Sequence, residues 1–307
     1  MVGMISTLCD RFKSVYCSPV SFQSRAYRGH AIRKLNIVGC GICPSHAWET
    51  ILRVAGLGRL QGDDEERDGL EMISVVCVYN NKQVLREYLE SSLDVQTSGL
   101  EKILVDNSQN KYESAAKALN EGATRANGRY VLFIHQDVRL YPETWLADAE
   151  KLLDSLQNVG IAGLAGKKAS EGVMSNIIHG IPPRPAGNTR IDRVETAQTV
   201  DECAMIVPKS VFDVLRFDEE VCDSWHLYGV DYSLSVRNLG LEVFVLPLEA
   251  HHISLAYSMS GSYYKSLKKV LRKHRKEYEY VYTTMGDWRT AVPVSLSRLL
   301  KRTHVLR

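Results

Sequence analysis

The sequence predicts an α/β protein, a doubly wound and mostly parallel sheet with helices on both faces. Three observations predict it. Between Met72 and Pro142, apolar runs of strand length alternate with segments whose apolar residues recur at helical spacing. Each run ends in polar residues, and Pro142 stands where a helix's first turn tolerates it. Strands separated by helices pair in parallel through right-handed crossovers, which places helices on both faces.

The elements follow in order. Met72-Ile-Ser-Val-Val-Cys-Val-Tyr79 reads as a strand buried on both sides, and Val84, Leu85, Tyr88, Leu89 and Leu93 mark the face of the helix after it. The unit repeats as strand Lys102 to Val105 with a helix from Tyr112 to Asn120, then as strand Tyr130 to His135 with a helix starting at Pro142. Val159 to Ala165 is another buried strand. Gly166 to Thr199 is long and rich in Gly, Pro and polar residues, which predicts a mobile loop over the site. A strand near Cys203 to Val207, a helix from Ser210 to Leu215, a helix from Asp231 to Leu239 and a strand from Glu242 to Leu246 complete the sheet. Gly240 sits at a helix C-cap.

Domain organisation changes near residue 70. Residues 1–70 read as a poorly defined or partly disordered N-terminal extension, with a weak helical stretch from Ala47 to Ala55 and a solvated charge run from Asp63 to Asp68. Residues 71–277 hold the α/β domain, and 278–307 read as a basic C-terminal tail. Near that boundary, Lys265 to Lys276 carries seven basic residues and no acid over an apolar stripe of Tyr263, Leu267, Val270 and Leu271. Such a helix either lies on an anionic membrane surface through residues 263–276 or packs its stripe on the core and solvates its charges.

Composition narrows the function class. The chain has 307 residues, with 38 basic against 36 acidic, a balance that argues against a nucleic-acid partner. No run approaches the ~18 apolar residues of a membrane helix, and no leader pattern opens the sequence, so a soluble cytoplasmic protein is expected, with peripheral contact at the inner membrane face open through the basic helix. The seven cysteines are odd in number and scattered, which predicts reduced thiols. Cys40 and Cys43 form a lone C-x-x-C without the second pair of a zinc site or the β-α context of a redox motif.

The strand ends collect the chemistry. Tyr79-Asn80-Asn81, Asp106-Asn107-Ser108 and His135-Gln136-Asp137 end the first three strands, where ligands bind in open α/β sheets. His135 and Asp137, two apart, share a face if the strand persists, and together they suggest a metal site; the alternative is a turn that begins at Asp137. No G-x-G-x-x-G follows the first strand and no P-loop occurs, so phosphates must be held otherwise. A divalent cation is the obvious means.

These residues resemble the family 2 glycosyltransferases of the GT-A fold, particularly the StrF-like branch. The resemblance rests on Val76-Cys-Val-Tyr-Asn80, Ile103-Leu-Val-Asp-Asn-Ser108, Gly128 to Asp137, Phe217-Asp-Glu219, Trp225-His-Leu-Tyr-Gly-Val-Asp231 and His251-His252, in the family's order from Met72 to about Lys276. It implies a GT-A-like mixed sheet and transfer of a sugar from a nucleoside diphosphate donor to the hydroxyl of a glycan, lipid-linked or small-molecule acceptor, with inversion and Mn2+ or Mg2+.

The resemblance also implies roles. Tyr79, Asn80, Asp106 and Asn107 would line the donor nucleotide pocket. Asp137 matches the last Asp of the family's Asp-x-Asp, while His135 replaces the first; imidazole suits manganese better than magnesium, or need not touch the metal. His252 or its neighbour His251 would complete the metal site, though adjacent side chains diverge. Asp231 would be the acceptor's base, with helix N-cap as its plain alternative and Val230 where a second acid often sits. Trp225, His226 and Tyr228 suit sugar contact. Two rival readings remain open: a noncatalytic nucleotide-sugar binding or scaffolding protein, fed by the His135 substitution, and a nucleotidyltransferase on a related sheet.

Overall fold

A computed structural model describes residues 72–169, 172–254 and 259–302. The extension 1–70 with its helical stretch, charge run and C-x-x-C lies outside the described residues.

The first three strands form as the sequence predicts. Strands β1 (Ile73–Tyr79), β2 (Leu100–Asp106) and β3 (Tyr130–Ile134) pair in parallel, with Val76 opposite both Ile103 and Phe133 and Tyr79 opposite Asp106. That register brings all three carboxyl ends to one edge. Helix α1 runs through Lys82–Leu85, a π turn at Arg86–Glu90, and Ser91–Leu93. Its cap is Asn81, whose side chain accepts the N–H groups of Gln83 and Val84. Helix α2 (Ala115–Ala123) is capped by Ser114, and α3 is Trp145–Asp154, three residues after the proline that announces it.

Alternation of side chains sends the two faces of β1 into two cores. Ile73, Val75 and Cys77 pack with Leu85 and Leu89 of α1 and Trp145 and Leu146 of α3. Val76 packs on the opposite side with Ala116 and Leu119 of α2. Helices therefore cover both faces, and Ile73 to Cys77 are fully buried because neither face there meets water.

The second half departs from parallel pairing. Strand β4 is Val138–Leu140, β5 is Val159–Gly163, β10 is Glu195–Thr196, β12 is Ala204–Pro208 and β13 is Glu242–Val245. The main sheet has seven strands in the order β10-β13-β5-β12-β3-β1-β2. Strand β12 runs antiparallel to both β3 and β5. Apolar patterning reports burial on two faces and is blind to strand direction, so only the connection decides it.

The stretch expected to be a mobile loop over the site carries short strands joined by turns and irregular segments. Strands β6 (Ala165–Lys167), β7 (Met174–Ser175), β8 (Ile177–His179), β9 (Arg184–Pro185) and β11 (Thr199–Val200) occupy it together with β10. Two- and three-residue strands are too short to display a period. Strand β14 (Ala250–His252) lies between β4 and β8, antiparallel to the first and parallel to the second.

Helix α4 is Lys209–Phe212, and α5 (Tyr228–Asn238) starts a turn before its expected position, ending at Gly240 with φ +81° as a C-cap requires. Helix α6 (Gly261–His274) buries Tyr263, Leu267, Val270 and Leu271 against Leu227, Val230 and Leu234. The stripe is thus spent on the core, the second of the two readings of this helix, and Lys265 and Lys269 pair with Asp223 on the surface. No helix among the described residues is long and apolar enough to cross a membrane.

The expected basic tail is corrected. Strands β15 (Tyr280–Thr283) and β16 (Gly286–Arg289) make a hairpin, helix α7 (Val294–Arg302) follows, and Val281 and Trp288 are buried with α6. Gln198, Thr199 and Asp201 bond the hairpin at Tyr280, Tyr282 and Thr284. Of the basic residues that suggested a tail, Arg289 pairs with Glu279 and Arg298 lies over the Tyr264 ring. Cys77, Cys203 and Cys222 are buried free thiols.

Candidate active site

A cavity of about 330 Å3 opens where β1 and β3 end, lined by Tyr79, Asn80, Asn107, His135, Gln136, Asp137, Trp225 and Tyr228 among others. Its floor is the parallel register itself, since each strand delivers its last residues to the same edge. Gln136, which sequence reasoning passed over, ties the floor together. Its Oε1 accepts the N–H groups of Asn80 and Asn81 at 3.1 and 3.0 Å, and its Nε2 donates to Asn80 Oδ1 at 2.7 Å. The sequence carries no signal for this bond, because Gln136 lies beyond the last residue of β3, where strand alternation no longer sets its direction.

The nucleotide-side residues divide. Tyr79 and Asn80 line the cavity. Asn107 also borders it, but both ends of its amide are committed to Tyr112, accepting from its N–H at 2.8 Å and donating to its carbonyl at 3.3 Å. Asp106 accepts the Ser108 N–H at 2.8 Å, and the Ser108 bonds hold its exposed carboxyl below the usual range. It stands beside the Tyr79 hydroxyl rather than on the cavity lining.

His135, Asp137 and His252 converge, each offering a ligand atom within 4.8 Å of the others. Pairing of β14 with β4 explains the meeting: His252 lies opposite Val138, next to Asp137, and Ile253 donates its N–H to the Asp137 carbonyl at 3.0 Å. His252 Nε2 stands 3.3 Å from Asp137 Oδ1. A third ring, His179 on β8, is the register partner of His252, with centroids 5.3 Å apart.

The electrostatics separate the two imidazoles. Burial pushes His135 down to about 4, and the charge of His252 adds to that, so His135 is neutral and offers a lone pair. Burial also works against ionising Asp137, but its bond to His252 and that ring's charge outweigh it and hold the carboxyl down at about 2. His252 is pushed up despite its burial, by Cys203 and Asp137 beside it. A cation held here would compete with the His252 proton.

His251 is corrected as a ligand. Its Nε2 meets the Gly180 carbonyl at 2.9 Å, because neighbours on a strand face opposite ways. Of the acceptor-side residues, Trp225 is exposed on the cavity wall, and the buried Tyr228 places its hydroxyl 3.3 Å from His135 Nε2. His226 is turned toward Ser260, 3.4 Å away at the cap of α6, and away from the cavity.

Asp231 is corrected as well. The helix begins at Tyr228, so Asp231 lies inside its first turn instead of capping it. Its carboxylate is 2 % exposed and faces α6, where Lys273 Nζ donates to Oδ2 at 2.7 Å and His274 Nε2 lies 2.8 Å from Oδ1. Burial opposes the Lys273 charge, yet Asp231 and Asp218 raise its pKa. Both oxygens are occupied by a clamp between α5 and α6, and no acceptor reaches them.

Residues 74–278 match the model of a glycosyltransferase-like family, well over half of the chain. The chain belongs to that family. A curated relative from Fuscovulum blasticum, "ATP synthase subunits region ORF 6", is 25 % identical over 159 residues, covering 50 % of this chain and 62 % of its own length. Among solved structures, GalNAc-T7 with UDP, GalNAc and Mn2+ aligns with a TM-score of 0.50 at 11 % identity, over 77 % of this chain and 55 % of its own. S. aureus TarS 1-349 in complex with UDP-GlcNAc aligns with a TM-score of 0.44 at 17 % identity, over 66 % of each chain. The chain thus spans less than two thirds of these relatives' length, and its fold is GT-A-like with a mixed sheet.

Proposed function

We propose that this glycosyltransferase moves a sugar from a nucleoside diphosphate donor to an acceptor hydroxyl, with inversion at the anomeric carbon. One observation carries the reading: His135, Asp137 and His252 converge at the mouth of a cavity whose other wall is Tyr79, Asn80, Trp225 and Tyr228. The donor set of two imidazoles and one carboxylate fits a divalent transition ion, manganese more readily than magnesium, because hard magnesium prefers oxygen. Asp137, His252 and His135 would hold that cation, whose chemistry is to neutralise charge growing on the departing diphosphate. A protein of the same fold holding UDP, GalNAc and Mn2+ accords with this ligand set.

The chain's own residues do the rest. Tyr79 and Asn80 border the nucleoside, and the Gln136 amide fixes the strand ends so that this border is rigid before the donor arrives. Trp225 offers an aromatic face to a sugar ring. Tyr228 holds the neutral His135 ring in orientation. The StrF-like branch, a glycan, lipid-linked or small-molecule acceptor and a cytoplasmic site belong to the same proposal.

Calorimetric titration with UDP and with GDP, each in manganese, magnesium or chelator, tests it. Nucleotide binding that needs manganese and vanishes in chelator is expected. No binding under any condition would return the third strand's His-Gln-Asp to a structural turn.

A further inference from the structure

Inverting transfer needs a carboxylate to take the acceptor's proton, and Asp231 is locked elsewhere. We infer that Glu202 is the general base of the reaction, resting on the donor-site reading above. The topology brings it to the right end of the sheet. Because β12 runs antiparallel to β3, the residues that lead into β12 arrive where β1, β2 and β3 end, and the His135 N–H donates to the Cys203 carbonyl at 3.1 Å. Glu202 is the residue before that carbonyl.

Its neighbours are otherwise committed. Asp137 belongs to the metal cluster. Asp201 accepts from the Cys203 N–H at 3.0 Å through one oxygen and from the Thr284 hydroxyl at 2.8 Å through the other. Glu202 accepts from the Gly229 N–H at 3.3 Å through Oε1, at the start of the helix that carries Tyr228 into the cavity wall. Gly229 is what allows this approach: a Cβ there would stand 2.6 Å from Met205 Sδ and 3.0 Å from Glu202 Cγ.

The groups facing Glu202 set its basicity. Burial pushes its carboxyl up to about 8 and the Asp201 charge adds to this, while the N–H groups of Gly229 and Leu227 oppose. Tyr228 of α5, Tyr263 of α6 and Cys222 also feel its charge, and their own pKa values are raised, chiefly by burial. A base with a pKa near operating pH suits proton transfer. In the step, the acceptor oxygen bonds to the anomeric carbon, its proton passes to the Glu202 carboxylate, and the anomeric C–O bond breaks with its electron pair leaving on the diphosphate.

The test uses the full chain with manganese and a panel of UDP- and GDP-sugars, following nucleotide release with water or mixed sugar hydroxyls as acceptor, beside titration with UDP and GDP. Glu202→Gln is expected to bind nucleotide as the wild type does and to lose turnover by about a hundredfold or more. Wild-type turnover should rise with pH as the carboxylate loses its proton, and Glu202→Asp should keep part of the activity with that limb displaced. Glu202→Gln turning over within about threefold of wild type would overturn the assignment, as would a wild type that binds nucleotide and turns over no donor. Absence of nucleotide binding by the wild type would instead bring down the donor-site reading itself.

Discussion

The edge formed by β1, β2 and β3 and the corner formed by α5, α6 and the C-terminal hairpin differ in how they are assembled. The edge comes from consecutive β-α units whose parallel register fixes where every strand end goes. The corner comes from contacts between segments far apart in sequence: Asp231 with Lys273 and His274, and Thr199 with Tyr282. Residue types at the edge keep the meaning that the strand pattern gives them. At the corner the same type, a carboxylate in the first turn of a helix, changes meaning with whatever helix lies against it.

The largest expected effect breaks the corner. Asp231→Asn leaves Lys273 and His274 without their buried carboxylate, and breaking a buried pair costs about 3–5 kcal/mol. The unfolding free energy from urea titration should fall by that amount while nucleotide binding per folded molecule stays unchanged. Lost binding at full stability would restore Asp231 to the site.

Asp137→Asn breaks the edge chemically rather than structurally. It removes the only carboxylate of the cluster and should weaken manganese-dependent nucleotide binding by more than the roughly 10–100-fold that loss of an outer-shell partner costs. Calorimetry on the folded variant reads this directly, and the melting transition should fall as well because His252 loses its partner.

Gly229→Ala probes the seam between the two regions. The added methyl meets Met205 and the Glu202 side chain, so overpacking of about 1–3 kcal/mol is expected in denaturant titration. His251→Ala has the smallest effect, about 1 kcal/mol for the lost bond to Gly180, with metal affinity retained. His252→Ala beside it should lose metal binding, and equal losses from both would mean that strand alternation does not choose between them.

Much of the edge was legible in the chain. Apolar runs located β1, β2 and β3, and their polar ends named Tyr79, Asn80, His135 and Asp137 before any coordinates. Gln136 stands beyond the end of β3, and nothing in its spacing says that its amide bonds the backbone of Asn80 and Asn81 more than fifty residues away. The short strands between Gly166 and Thr199 left no period to read, and Glu202 left no motif, only an acid beside another acid.

Sequence by itself determined the β-α units, the family to which residues 74–278 belong, and the paired residues at the end of β3. Those properties live in spacings of two to four residues, and local backbone geometry fixes them. Tertiary structure alone decided that β12 runs antiparallel, that His252 rather than His251 joins Asp137, that Asp231 faces Lys273, and that residues 280–289 fold back as a hairpin. Each of these depends on which distant segment supplies the partner, and a side chain's chemistry is set by the partner it meets.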